Sequence, residues 1–255
     1  MSGASGSTPV ILIHGAWQGS WVWQAFLAAW ARRTGIAAHA VDLPGNGADG
    51  TPARDATLAA YVAHVVSVMD TIGQPVTLVA HSGGGVVASA VAEHAPDRVR
   101  GIVYLAGMML PDAMGFGQVV EQVLPEHPLA TGINPWLDWP EPGVVSVVPP
   151  EAAVAIFLQD CPPDVSIPAS RRLTPQGIGG LDLRARLTPG RFGTVPRLYV
   201  EATQDRSVIL PVQRRMQALV PGARVVSMPT GHAPQVADPE GTVAHVLSFV
   251  QEVGA

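Results

Sequence analysis

Val76-Thr-Leu-Val-Ala-His-Ser-Gly-Gly-Gly85 runs an apolar, β-branched strand directly into a serine set among small residues. It then passes into the Ala/Val-rich stretch that ends at His94. Strand, sharp turn and helix make a nucleophile elbow, where the serine takes strained backbone angles that lift its Oγ above the sheet. The positions two before and two after must be small, because strand and helix backbones nearly touch there. Gly84 fills the second, and Ala80 stands where glycine is usual. Ser82 is therefore a candidate nucleophile. The Gly83 N–H, at the helix start, is a candidate oxyanion donor. The bland alternative is a Gly-Ser turn that simply ends a strand.

Working outward, Val10-Ile-Leu-Ile-His-Gly-Ala-Trp17 places His-Gly directly after an apolar strand. Gly15 lets the chain turn there, so the Ala16 N–H is the second oxyanion candidate. The side chain of His14 is expected to be structural. A base should follow the last strand if the chain order is Ser, acid, His. Pro229-Thr-Gly-His-Ala-Pro234 supplies His232 on a loop before the final helix. The other histidines fit worse: His39 lies in a strand, His64, His94 and His245 lie in helices, and His127 lies in an irregular region. His81 abuts the nucleophile, and its side chain should leave the turn in another direction. Leu198-Tyr-Val-Glu-Ala-Thr-Gln-Asp205 runs a strand into a polar turn, making Asp205 the candidate acid. Buried beside imidazole, it would fix the tautomer and stabilise the imidazolium. Glu201 comes too early on that strand, and Asp238 reads as a helix cap.

The wider pattern is alternating strand and helix. Val10–Ile13, Ala37–Val41, Val76–Ala80, Ile102–Leu105, Leu198–Glu201 and Arg224–Ser227 are expected strands, mostly continuous apolar runs. Such runs suit a parallel sheet covered on both faces. Helices are expected at Trp21–Ala31, Thr57–Ile72, Gly83–His94, Pro211–Leu219 and Pro239–Val253. Asp55 or Thr57 would cap the second and Asp238 the last. The fold class is α/β, a doubly wound, mostly parallel sheet. The rhythm breaks over 108–190, which is rich in proline and carries Trp136, Trp139 and Phe157. A structureless loop of that length is improbable in one domain. An inserted small cap with a few short helices, such as Glu151–Gln159, is expected. Residues 1–8 read as a disordered tail, with 9–107 and 191–255 forming the core.

Composition excludes several chemistries. The 255 residues contain 15 Lys plus Arg, all of them Arg, and the net charge is −5. Schiff-base catalysis and the lysine of a phosphate loop are ruled out. No basic run suggests nucleic acid as a partner. The single Cys161 forms no internal disulfide and reads as a small buried cap residue. No H-E-x-x-H or paired-cysteine signature calls for a metal, and no cofactor is expected. The N-terminal stretch lacks a signal-like apolar core, and no run is long enough to span a membrane, so a cytoplasmic monomer or homodimer is expected. Met108, Met109 and Leu110 follow a strand end that faces the site, where Met108 would contact substrate.

The HGAWQGSWVW segment, the AHSGGG elbow, the YLAGMMLPD stretch, the TQDR turn and the GHAP loop together resemble one α/β-hydrolase branch. That branch contains plant methylesterases, hydroxynitrile lyases and bacterial carboxylesterase relatives. The resemblance implies Ser82, Asp205 and His232 as triad and the Ala16 and Gly83 amides as oxyanion hole. It also implies a small cap over an apolar pocket, with Trp17, Trp136, Phe157, Leu158 and Ala233 as substrate-binding candidates. The lyases carry lysine directly after the catalytic histidine, glutamate before the nucleophile and threonine after the early histidine. Here those positions are Ala233, His81 and Gly15. A small-molecule ester is the expected substrate. A hydroxynitrile-lyase-like or other non-hydrolytic reaction, or a ligand-binding receptor with little turnover, are the alternatives.

Overall fold

The computed structural model describes residues 8–254. Of the expected tail, 1–7 lies outside the described residues, and Thr8 is buried. Four strands come first: β1 (Val10–Ile13), β2 (Ala38–Ala40), β3 (Val76–His81) and β4 (Val99–Leu105). The chain then leaves this sheet for β5 (Asp138–Glu141), β6 (Val145–Val147) and β7 (Gln176–Gly177). It returns with β8 (Arg197–Ala202) and β9 (Arg224–Met228). The main sheet runs β2-β1-β3-β4-β8-β9, and every pair is parallel. β1 and β3 are buried at every position, as expected of strands covered on both faces.

Two apolar layers hold the helices. On one face α2 (Leu58–Ile72), α3 (Gly84–His94) and α7 (Leu210–Leu219) pack around Ile11, Ile13, Leu78 and Tyr104. On the other, α1 (Gln24–Arg33) and α9 (Pro239–Gly254) pack on Val10, Leu12, Val79 and Val103. Each fully buried Ile or Leu contributes about 2 kcal/mol of transfer free energy. Thr57, not Asp55, caps α2 by accepting from the Ala60 N–H, and Gly73 ends it at φ 70°. Asp238 Oδ1 accepts the Gly241 N–H at the start of α9. The remaining helices are α4 (Phe116–Val123), α5 (Pro150–Ile156), α6 (Pro163–Ser170) and α8 (Pro234–Ala237). No helix among the described residues is long and apolar enough to cross a membrane.

The excursion between β4 and β8 differs from the expected few short helices. Besides α4, α5 and α6 it builds a three-stranded antiparallel sheet, β5-β6-β7. Strands of two to four residues leave no readable alternation. The prolines that argue against strand are accommodated because β5, which contains Pro140, is an edge strand. The helix expected over Glu151–Gln159 stops at Ile156.

Sheet order reverses direction between β1 and β3, with β2 on one side and β4 on the other. A crevice opens beyond the carboxyl ends of strands at such a switch point. Ile13 pairs with Ala80 in the β1–β3 register, so the chain just beyond both strands brings Gly15 beside Ser82.

Candidate active site

The turn after β3 holds Ser82 at φ 51°, a left-handed conformation that side-chain-bearing residues rarely adopt. Neighbouring backbone enforces it. The Ser82 N–H donates to Leu105 O, and the Met108 and Gly85 N–H groups donate to Ser82 O. A Cβ on Gly84 would lie 2.5 Å from His14 O, and one on Gly85 would lie 2.8 Å from Met108 N. Only glycine fits either place.

Beyond the ends of β8 and β9, the chain brings a carboxylate and an imidazole to that serine. His232 Nε2 is 3.2 Å from Ser82 Oγ, and its Nδ1–H donates to Asp205 Oδ2 at 2.8 Å. Asp205 Oδ1 accepts the Ser207 and Val208 N–H groups at 2.7 and 2.9 Å. Those bonds leave Oδ2 aimed at the ring. Asp205 and His232 are buried, and Ser82 retains 8% exposure toward a cavity. Glu201, the rival acid, instead binds Arg214 and Ser227. Burial pushes its carboxyl up, but hydrogen bonds from Arg214, Ser227 and Gln217 outweigh this and hold it below the usual range.

The Ala16 and Gly83 amides both border the cavity. A Cβ built on Gly83 would stand 3.9 Å from Ala16 N, and neither amide donates to another group among the described residues. Next to them, Trp17 sits at φ 60°, a strained conformation for a bulky residue. Its backbone N–H donates to Gln176 Oε1 and its indole N–H to Ser146 Oγ.

The cavity encloses about 270 Å³. Trp17, Met108 and Phe157 line it, together with Phe116, Leu137 and Ile178. Three expected contacts do not. Trp136 ends the short turn Asn134–Trp136 with 56% of its surface exposed, while Leu158 and Ala233 are buried in the apolar cluster that also holds Trp17 and Phe157. Cys161 does not line it either, and burial pushes its thiol up to about 12. Among the described residues, Asp182 is the only acidic one in the lining, and the lining contains no arginine. Among the described residues, no three His, Cys, Asp or Glu side chains gather as a metal site.

Sequence reading missed Gln18 and the role of His81. The His81 ring does leave the elbow, but it goes to His232. Its Nε2–H donates to the His232 carbonyl at 2.7 Å, and the two rings lie 4.7 Å apart. Its Nδ1 lies 2.9 Å from Gln18 Oε1, the oxygen that accepts the Gly15 N–H. No local pattern marks such a bridge.

His14 and His81 are both held neutral by burial. In His14 desolvation outweighs the bond to the Gly15 carbonyl and the charge of Asp42, lowering it to about 4. In His81 burial and the neighbouring His232 push it well below the usual value. The unfolded chain binds these protons near pH 6.5 and the native one does not, so native stability is full above that pH. It falls as pH drops from 6.5 toward 4. His14 alone should cost about 2 kcal/mol at pH 5 relative to neutrality. Urea midpoints at pH 7.5 and pH 5 check this; equal midpoints would contradict it.

A model of the alpha/beta hydrolase family matches residues 10–245. A pyrethroid hydrolase of Sphingobium wenxiniae is 31% identical over 251 residues, covering 95% of this chain and 87% of that protein. Methylesterase 7 of Arabidopsis thaliana is 27% identical over 259 residues, covering 95% and 96% respectively. The crystal structure of a pyrethroid hydrolase from Sphingobium faniae superposes with a TM-score of 0.83 at 28% identity. That match covers 96% of this chain and 97% of that one.

Proposed function

The chain belongs to the alpha/beta hydrolase family, and from that premise we propose that it is a serine carboxylic-ester hydrolase working through an acyl-enzyme. The observation that carries the reading is the unbroken line from Ser82 Oγ through His232 to a buried, doubly amide-bound Asp205. Similarity to a methylesterase and to a pyrethroid hydrolase supports ester cleavage as the reaction.

In the first step His232 Nε2 takes the Ser82 proton while Oγ attacks the ester carbonyl. The carbonyl oxygen becomes an oxyanion held by the Ala16 and Gly83 N–H groups, each contributing roughly 3 kcal/mol to the transition state. The C–O bond to the alcohol breaks, and the alcohol departs with the proton from His232. Water then gives a proton to the same nitrogen and attacks the acyl carbon. Ser82 regains that proton and the acid leaves. A lyase reading is disfavoured by Ala233, which offers no cation for a departing anion. It is also disfavoured by Gly15, where any Cβ would come 2.8 Å from Ser82 Cβ.

Residues 108–190 serve as a cap over the cavity, and the lining sets the substrate class. Small to medium, largely apolar esters fit a mostly apolar wall without arginine, whose one carboxylate, Asp182, is half-exposed and already paired with Arg184. A substrate carboxylate buried there would be unpaired, at a cost of a few kcal/mol. p-Nitrophenyl butyrate should therefore be hydrolysed with kcat/KM at least about 30-fold above mono-p-nitrophenyl succinate. Equal values would remove the assignment of substrate class. Absence of turnover on any neutral ester, with tight binding of a small apolar ligand, would replace the enzyme by a receptor.

A further inference from the structure

We infer that Gln159 and Asp160 of the cap are positioning residues that latch the catalytic loop of His232 to the turn of Asp205. The turn that follows α5 meets both elements at several points. Asp160 Oδ2 accepts the Gly231 N–H at 2.5 Å, one residue before the base. Gln159 Nε2 donates to Gln204 O at 2.9 Å, one residue before the acid. The Phe157 ring lies 5.2 Å from that of His232, and Arg206 Nη1 donates to Ala155 O on α5. The two catalytic segments also touch directly, through the Gln204 N–H and Thr230 O at 2.9 Å. The junction thus has three sides, and the cap supplies one of them.

Gly231 shows how tightly the junction closes. Its φ lies outside the left-handed region, so its backbone conformation does not require glycine; a Cβ there would have to displace the Gln159 and Asp160 side chains. A Cβ there would come within 2.5 Å of Asp160 Oδ1 and closer still to Gln159 Nε2. Gln159 Oε1 and Asp160 Oδ1 are shut away from solvent without a hydrogen-bond partner among the described residues. Their desolvation offsets much of what the two latch bonds return. The latch therefore acts on position more than on stability, and a substrate that shifts the cap also shifts the base.

The kinetic part of this inference rests on the esterase reading, so two readouts are needed. Hydrogen exchange of 229–233, followed by mass spectrometry, is expected to quicken in Asp160→Ala while the melting temperature stays near wild type. Unchanged exchange overturns the latch whatever the kinetics show. With p-nitrophenyl butyrate, Asp160→Ala should lower kcat about tenfold at nearly constant KM. Asp160→Asn should recover most of the loss, since its Oδ1 still accepts the Gly231 N–H. Gly231→Ala should cost a similar factor in the native background. It should cost less than about twofold in Gln159→Ala/Asp160→Ala, where the obstructing atoms are gone. Additive losses would contradict the latch. Absence of wild-type turnover would defeat the esterase reading alone, leaving the exchange result to decide this one.

Discussion

Ser82→Ala is expected to lower kcat for neutral esters by at least about 10⁴-fold while leaving the fold and KM nearly unchanged. Ser82 is held by backbone bonds to Leu105, Gly85 and Met108, none of which involves its hydroxyl. Alanine meets the same left-handed backbone with a Cβ of the same kind, so the elbow should keep its shape. What disappears is the atom that forms the acyl-enzyme in the proposed mechanism. The Ala16 and Gly83 amides remain and still polarise a bound carbonyl, so residual hydrolysis above the uncatalysed rate is expected. Stopped-flow traces should lose any burst of p-nitrophenol. Near-wild-type turnover would mean that Ser82 is not the nucleophile.

Asp205→Asn carries the second large effect, about 10⁴-fold in kcat. Asp205 uses one oxygen for two backbone N–H groups and the other for His232 Nδ1–H. An asparagine must keep its oxygen on those amides and turn its NH₂ toward the ring. The ring then accepts at Nδ1 and carries its proton on Nε2, where it cannot take one from Ser82 Oγ. Orientation survives, but the tautomer is wrong. Because these residues act as a unit, Ser82→Ala/Asp205→Asn should be no slower than Ser82→Ala alone. Multiplying losses would show that the two act independently.

Local covalent and steric demands explain which parts of this molecule can be read from sequence. The elbow is readable because the strand, the serine and its small neighbours Ala80, Gly83, Gly84 and Gly85 follow one another directly, although the backbone that forbids a Cβ at Gly84 and Gly85 comes from His14 and Met108. His232 and Asp205 are readable from chain order, since each follows a strand of a sheet whose alternation is plain. The cap resists the same reading. Its strands span two to four residues, and the side-chain direction of Trp136 depends on a single turn. Leu158 and Ala233 are apolar and near the site in sequence, yet packing buries them beside Trp17 and Phe157 and outside the cavity lining. Gln18, His81, Gln159 and Asp160 act through contacts between distant segments, and no periodicity or motif encodes such contacts.

Labelling with a serine-directed organophosphate, followed by peptide mass spectrometry, tests the nucleophile assignment most directly. A single adduct is expected on the peptide containing Ser82, formed in step with loss of esterase activity and absent from Ser82→Ala. Full inactivation with the phosphoryl group on any other residue would contradict that chemistry.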